Sequence, residues 1–199
     1  MGVKAPREVK PVPEEVVRAV LPFVRPQIRA MLELQLCSGM RPGEVCRMTT
    51  GQIDRSGEIW AYRPTKHKTA HRGKLREVSL GPRAQAILGP WLKADPDKVL
   101  FSPRAGYEHG RKLTGRKPRR FRETYDKNSY ATAVGRGCRR AGVPAFSPNR
   151  LRHTYAAMVR KAFGLEAAQV MLGHSRADVT QVYAESNREL AAEVAKKIG

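Results

Sequence analysis

The stretch RLRHTYAAMVRK, residues 150–161, places two arginines and a histidine within four positions of a segment that otherwise has the pattern of a buried helix. On a helix, Leu151, Tyr155 and Met158 share one face, and Arg152 lies about 100° away from Leu151 at the edge of that face. Ser147 can cap this helix, with a proline next to it in the first turn. A guanidinium held by a packed helix has a fixed direction and can donate two parallel hydrogen bonds to a phosphate. The stretch therefore predicts a helix that aims Arg152 at an anion.

A second oriented arginine is predicted in SGMRPGEV, residues 38–45. Arg41 stands between Gly39, which is typical of a helix end, and Pro42, which is typical of a helix start. Glu44 follows three residues later, close enough on a helix to hold the guanidinium. The two stretches together predict a pair of fixed cations.

Two further motifs, LGHS at residues 172–175 and TQVYAE at residues 180–185, contribute a histidine and a tyrosine. His174 follows a glycine that ends a helix, and Tyr183 lies nine residues later on the next short helix. A tyrosine ionises near pH ~10, so it attacks phosphorus only where cations stabilise its phenolate or a base takes its proton. A lone tyrosine is usually a packing residue. Only its arginine and histidine partners favour a nucleophile.

The composition favours a polyanionic partner. The 199 residues carry 38 Lys+Arg against 18 Asp+Glu, a formal net charge of +20. This charge is spread along the chain, whereas membrane-surface proteins usually concentrate it on one amphipathic helix. We therefore expect nucleic acid as partner, no membrane span, and a soluble cytoplasmic protein associated with the nucleoid. The three cysteines, Cys37, Cys46 and Cys138, lack paired spacing and predict neither disulfides nor a metal site.

The predicted organisation has three parts. Residues 1–12 read as a basic, proline-rich arm or linker remnant, residues 13–185 as the main domain, and residues 186–199 as a C-terminal amphipathic helix. Most of the main domain has helical patterns. GEIWAYRP and KLREVSL predict a small antiparallel sheet with a basic hairpin tip between its strands. Residues from about 103 to 127 predict a mobile basic loop.

The motifs SGMRPGEV, NRLRHT, LGHS and TQVYAE, in this order and spacing, resemble the catalytic domain of the tyrosine recombinases, the phage integrase family. The resemblance runs from about residue 10 to residue 199. It implies a mainly α-helical fold with a three-stranded antiparallel sheet. It also implies a site-specific recombinase that cleaves and rejoins DNA through a 3′-phosphotyrosine intermediate, without metal or other cofactor.

Residue roles follow from the same resemblance. Arg41 and Arg152 match the arginines that clamp the scissile phosphate, and Glu44 matches the acidic residue that supports the first of them. His174 matches the histidine that donates to a non-bridging oxygen. Tyr183 matches the nucleophile that releases a 5′-hydroxyl.

Three more residues complete the predicted site. The family places a general-acid lysine on the hairpin between its second and third strands, for which Lys68 is favoured and Lys66 is the alternative. Asn149 stands where the family usually has a histidine, and because an amide is no base near neutral pH, we expect an active enzyme with altered proton handling. His153 is expected to form a structural hydrogen bond in the core.

The expected partner is double-stranded DNA of a mobile element, without a small-molecule substrate. The resemblance implies a tetramer on DNA and a monomer when free. The apolar stripe of Leu190, Val194 and Ile198 either covers the chain's own core or docks on a neighbouring subunit, with the second slightly favoured. Because only an arm precedes the first predicted helix, we expect a catalytic fragment or a minimal member, with salt-sensitive DNA binding of little sequence discrimination.

Two other functions stay open. A type IB topoisomerase-like enzyme would relax supercoiled DNA without recombination, and a non-catalytic basic DNA-binding module would not need Tyr183. A protein–DNA adduct that survives detergent and is lost in Tyr183→Phe distinguishes the catalytic interpretations from the binding module.

Overall fold

The computed structural model describes residues 9–65, 76–104, 122–173 and 181–199, with the backbone alone for residues 181–188. The helices and strands in these ranges are α1 (Glu14–Val20), α2 (Pro26–Ser38), α3 (Pro42–Cys46), β1 (Ile53–Asp54), β2 (Trp60–Tyr62), β3 (Val78–Leu80), α4 (Pro82–Leu88), α5 (Lys127–Arg140), α6 (Asn149–Leu172) and α7 (Gln181–Ile198). Short 3₁₀ turns follow α1 and α4 and precede β1. The described chain is mainly helical, as predicted.

Helix α2 is the centre of the core. Pro26 occupies its first turn, and Gly39 ends it in the left-handed conformation at φ 63°, as the sequence predicts. Apolar residues such as Met31 and Leu34 are completely buried because other helices pack around α2. The turn that leaves α2 therefore starts from the most rigid part of the molecule.

The sheet is antiparallel, with strand order β1-β2-β3. Ile53 pairs with Tyr62 across β1 and β2, and Tyr62 pairs with Val78 across β2 and β3. Tyr62 is buried, and its hydroxyl donates to the Glu44 carbonyl oxygen at 2.9 Å. This bond attaches the sheet to α3.

Helix α6 consists of two helical segments that meet at Gly164. This glycine has φ 86° and ψ 177°, outside the helical region, which only glycine adopts at low cost. The sequence predicts separate helices on the two sides of this position, in agreement with the kink. At the start of α6, the N-cap position is Pro148, which forms no side-chain cap, so the predicted Ser147 cap is wrong; the Ser147 Oγ instead accepts the Asn149 amide at 3.3 Å.

Helix α7 differs from the prediction. The sequence patterns predict a short helix around Tyr183 and a separate C-terminal helix over residues 186–199, whereas the structure has one helix over Gln181–Ile198. No glycine or proline interrupts this range, so nothing in the sequence ends the first segment.

The C-terminal stripe packs on its own chain. Val194 is completely buried in a cluster with Tyr155 and Val159 of α6, and Leu190 and Ile198 pack against the same cluster. At its end, the Gly199 carbonyl oxygen accepts the Ala84 amide at 3.1 Å, at the start of α4. Of the two possibilities left open for this stripe, the single chain adopts the first.

The end of the predicted arm is also anchored. Val12 is buried, and its amide donates to Thr154 Oγ1 at 2.8 Å. Arg150 donates to the carbonyl oxygens of Lys10 and Pro11. Both partners belong to α6, so the segment that leads into α1 is tied to the helix that carries Arg152.

Among the described residues, no helix is long and apolar enough to cross a bilayer. All three cysteines are buried and free of disulfides, and burial raises the pKa of the Cys37 and Cys46 thiols to about 12. They act as small apolar core residues.

Candidate active site

In the turn between α2 and α3, Glu44 binds both the backbone amide and the guanidinium of Arg41. The Arg41 amide donates to Glu44 Oε2 at 2.7 Å, and its Nη1 donates to Glu44 Oε1 at 2.8 Å. Glu44 is only 2% exposed, whereas the Arg41 side chain is 23% exposed. One buried carboxylate thus fixes a guanidinium that still reaches the surface, as the spacing of the two residues predicts.

Arg152 is 7% exposed. Its Nη1 donates to the Gly39 carbonyl oxygen at 2.7 Å, and its Nη2 donates to the Leu172 carbonyl oxygen at 2.5 Å. These carbonyl groups belong to the ends of α2 and α6, where helices leave backbone acceptors unsatisfied. Arg152 therefore joins the turn of Arg41 to the helix end that precedes His174.

Close packing brings the two arginine-bearing segments together. Gly39 lies against the ring of buried Tyr155, and a Cβ at position 39 would come within 2.3 Å of a ring carbon. Tyr155 follows Arg152 by three residues on the same helix, so the contact between Gly39 and Tyr155 also fixes the position of Arg152 relative to Gly39. Glycine is required here both by this contact and by the positive φ.

A third arginine joins the site, and the sequence interpretation missed it. Arg76 precedes β3, is 6% exposed, and places Nε 3.5 Å from Glu44 Oε1. Strand alternation could have revealed it, since Val78 and Leu80 face the core and residue 76 has the same parity. An arginine on the core side of a strand needs a buried partner, and Glu44 is that partner.

Two guanidinium groups pair with the Glu44 carboxylate, and a third, that of Arg152, interacts with it electrostatically. Burial raises the pKa of Glu44, but the charge of Arg76 and the hydrogen bonds from Arg41 outweigh it, so the pKa is lowered overall. Burial, together with Arg41 and Arg76, lowers the pKa of Arg152 to about 9. A lowered arginine pKa marks a cation that gains stability from an added anion.

Two buried polar residues that sequence reasoning also missed support the Arg41 turn. Gln35 Nε2 donates to the Met40 carbonyl oxygen at 2.9 Å, and the Tyr130 hydroxyl donates to Gln35 Oε1 at 3.0 Å. Tyr130 belongs to α5, ninety-five residues away from Gln35 in the chain. Only the fold brings these residues together, so no local pattern predicts them.

The other predicted site residues have different outcomes. Asn149 is exposed at the start of α6, one turn before Arg152. His153 is half-buried, and because its ring has no hydrogen-bond partner among the described residues, the expected structural bond stays a prediction. Position 153 lies about 200° around the helix from Leu151, away from the face that Leu151 and Tyr155 bury.

Four predicted residues are not placed as side chains. Lys66, Lys68 and His174 lie outside the described residues. Tyr183 lies in the first turn of α7, where the backbone alone is described. In the described ranges, no three histidine, cysteine, aspartate or glutamate side chains group as a metal site would require.

The model of the phage integrase family matches residues 12–189. The chain belongs to this family. The match covers both arginine-bearing segments and the β-sheet between them, and it confirms the resemblance given by the four motifs.

Individual phage integrase family members agree. Tyrosine recombinase XerC of Corynebacterium glutamicum is 31% identical over 166 residues, which cover 81% of this chain and 47% of that protein. Tyrosine recombinase XerC of Vibrio campbellii is 27% identical over 200 residues, 92% of this chain and 56% of that protein. The chain thus spans about half the length of these relatives.

Solved structures show the same fold. The integrase from mycobacterium phage Brujita superposes with a TM-score of 0.65 at 18% identity, over 98% of this chain and 60% of that one. XerA recombinase gives a TM-score of 0.60 at 18% identity, over 96% of this chain and 61% of that one. The predicted fold class is confirmed.

Proposed function

We propose that this family member is a site-specific DNA recombinase, or integrase, that cleaves and rejoins strands through a 3′-phosphotyrosine intermediate. The observation that carries the proposal is that Arg41, Arg76 and Arg152 lie close enough to affect one another, with Arg41 and Arg76 both paired to Glu44. A phosphodiester gathers negative charge as a fifth oxygen approaches phosphorus, and fixed cationic donors stabilise that charge.

In the proposed reaction, Arg41 and Arg152 bind the non-bridging oxygens of the scissile phosphate. The Tyr183 oxygen attacks phosphorus as the bond to the 5′-oxygen breaks, which leaves the 3′-phosphate on the tyrosine and frees a 5′-hydroxyl. His174 donates to a non-bridging oxygen, and Lys68, or Lys66 in its place, protonates the leaving oxygen. The covalent link conserves the bond energy, so rejoining needs no nucleotide cofactor.

Asn149 takes the place of a histidine in this scheme. Its exposure at the start of α6 supports a hydrogen bond to a DNA phosphate. Since an amide does not accept the tyrosine proton near neutral pH, another group or water does so. His153 is assigned a supporting role beside Arg152.

The proposed partner is double-stranded DNA, bound by a monomer that assembles into a tetramer on two DNA sites, in the nucleoid of the cytoplasm. The formal charge of +20 supports binding to a polyanion. The Tn1549 transposon integrase was solved in complex with circular intermediate DNA, and XerH recombinase was solved bound to its difH substrate. Accordingly, we assign the protein to recombination of a mobile element.

The test uses a nicked duplex that traps the covalent intermediate. The expected result is a protein–DNA adduct that survives detergent, is removed by protease and is absent for Tyr183→Phe. Tyr125→Phe is the matched control, because Tyr125 is a buried packing residue and its hydroxyl is not assigned a role. Wild-type chain that binds the duplex without forming an adduct would identify a binding module. Relaxation of supercoiled plasmid without recombinant products would instead identify a topoisomerase-like enzyme.

A further inference from the structure

We propose that Arg76 is a positioning residue for strand cleavage, which acts through Glu44 to fix the direction of Arg41. The inference rests on the proposed function, in which Arg41 binds the scissile phosphate. It assigns a role to the arginine that the sequence motifs do not contain.

The contacts form a chain from Arg76 to Arg41. Glu44 Oε1 lies 3.5 Å from Arg76 Nε and accepts a hydrogen bond from Arg41 Nη1 at 2.8 Å. The other oxygen of this carboxylate accepts the Arg41 amide at 2.7 Å. Arg41 is thus held by Glu44, and Arg76 pairs with the same carboxylate oxygen that holds the Arg41 guanidinium.

The Arg76 side chain is itself buried and is held by backbone contacts. Its Nη1 donates to the Glu77 carbonyl oxygen at 3.1 Å and lies against Gly173, where a Cβ would come within 2.4 Å of it. Its Nε and Nη2 are buried and form no hydrogen bond with the described residues. Among the described side chains, the guanidinium of Arg76 pairs with Glu44, so we assign it a role on this carboxylate and leave the phosphate to Arg41 and Arg152.

The charges around Glu44 explain why a cation is needed at this place. Among the described residues, Arg41 and Arg76 act directly on this carboxyl, Arg152 interacts with it electrostatically, and the Tyr62 hydroxyl donates to the Glu44 carbonyl oxygen. Burial raises the pKa of this carboxyl, and Arg76 is the first of the groups that lower it. Without Arg76 the pKa rises, and Glu44 takes up a proton at a higher pH. A protonated Glu44 no longer forms an ion pair with Arg41.

The experiment measures the single-turnover rate of cleavage of the nicked duplex at saturating protein, across the range from about pH 5 to pH 9. The variants are Arg76→Met, Glu44→Gln and the double variant. A misplacement of about 1 Å in an active site can cost about 100-fold, so we expect roughly that loss for Arg76→Met. We also expect the acid limb of the pH–rate profile of Arg76→Met to move to higher pH. Arg76→Lys keeps the charge and should restore the wild-type limb. The control is Arg18→Met, an exposed arginine whose partner is Glu14, and it should leave rate and profile unchanged.

The double variant decides the mechanism. If Arg76 acts through Glu44, the double variant is about as slow as Glu44→Gln alone, because the two residues form one functional unit. Losses that multiply, or an Arg76→Met enzyme with wild-type rate and profile, overturn the inference. Thermal melting checks that each variant folds, and if Arg76→Met does not, the same cycle is run with Arg76→Gln, which removes the charge and keeps a polar side chain. If the wild-type chain forms no adduct, the proposed function and this inference fail together. If the wild-type chain forms an adduct but the rate losses of the two single variants multiply in the double variant, only the inference fails.

Discussion

At the scale of single residues, the site depends on positions that bear no charge. Gly39 combines a left-handed backbone with the contact that seats Tyr155, and its carbonyl oxygen holds Arg152. A residue that is never in contact with substrate thus sets the distance between two arginines. The same reasoning separates glycines that the fold needs from glycines that a turn merely favours.

We expect Gly39→Ala to lower the free energy of unfolding by about 3 kcal/mol, because left-handed strain and overpacking add. Gly142 is the matched control, since its φ is 67° and no atom lies within 4 Å of an added Cβ. Gly142→Ala should cost only the backbone strain, about 1 kcal/mol. Urea titration of both variants measures the difference, and equal losses would show that Tyr155 does not exclude a larger residue at position 39.

At the scale of elements, α7 carries the proposed nucleophile, Tyr183. Its C-terminal half packs on α6 and on the start of α4, while Tyr183 lies in its first turn. A continuous helix transmits the position of one end to the other. The packing of Val194 and Ala195 therefore bears on the location of Tyr183.

We expect Val194→Ala to lower the free energy of unfolding of the free chain by about 2 kcal/mol, because it leaves a cavity in the chain's own core. Glu193→Ala, at an exposed position of the same helix, should cause little change. Urea titration measures both variants, and the urea midpoint of the wild-type chain should not vary with protein concentration. A midpoint that rises with concentration would mean that the stripe packs on a second copy in solution.

At the scale of the whole molecule, the net positive charge bears on the proposed encounter with DNA. Among the described residues, Arg139 and Arg140 in the last turn of α5 are exposed, and the whole chain has a formal charge of +20. Such charge binds any duplex through its phosphates and adds little sequence readout. Site selection is expected to need further contacts.

We therefore expect affinity for an unrelated duplex to fall by about 10³-fold or more between about 50 mM and 200 mM salt, as for proteins with six or more phosphate contacts. Fluorescence anisotropy measures this dependence. An uncharged peptide nucleic acid duplex of the same sequence is the control and should bind weakly at every salt concentration. Salt-independent binding to DNA would contradict an interaction dominated by phosphates.

Local sequence alone determined much of this protein. The helix limits at Pro26 and Gly39, the break at Gly164 and the pairing of Glu44 with Arg41 all follow from backbone preferences and short spacings. The four motifs were sufficient to predict the family and the fold class. Interactions over three or four residues depend on chain geometry that any helix or turn shares, which is why they could be predicted.

Only the tertiary structure decided which distant groups meet. Arg76, next to the sheet, reaches Glu44, which lies 32 positions earlier in the chain, and Tyr130 supports Gln35 from another helix. Packing likewise decides that one helix carries Tyr183 and that Val194 is buried in the core of its own chain. Burial and charge pairing between remote segments depend on how the folded chain arranges those segments in space. A single sequence contains no information on the distances between them.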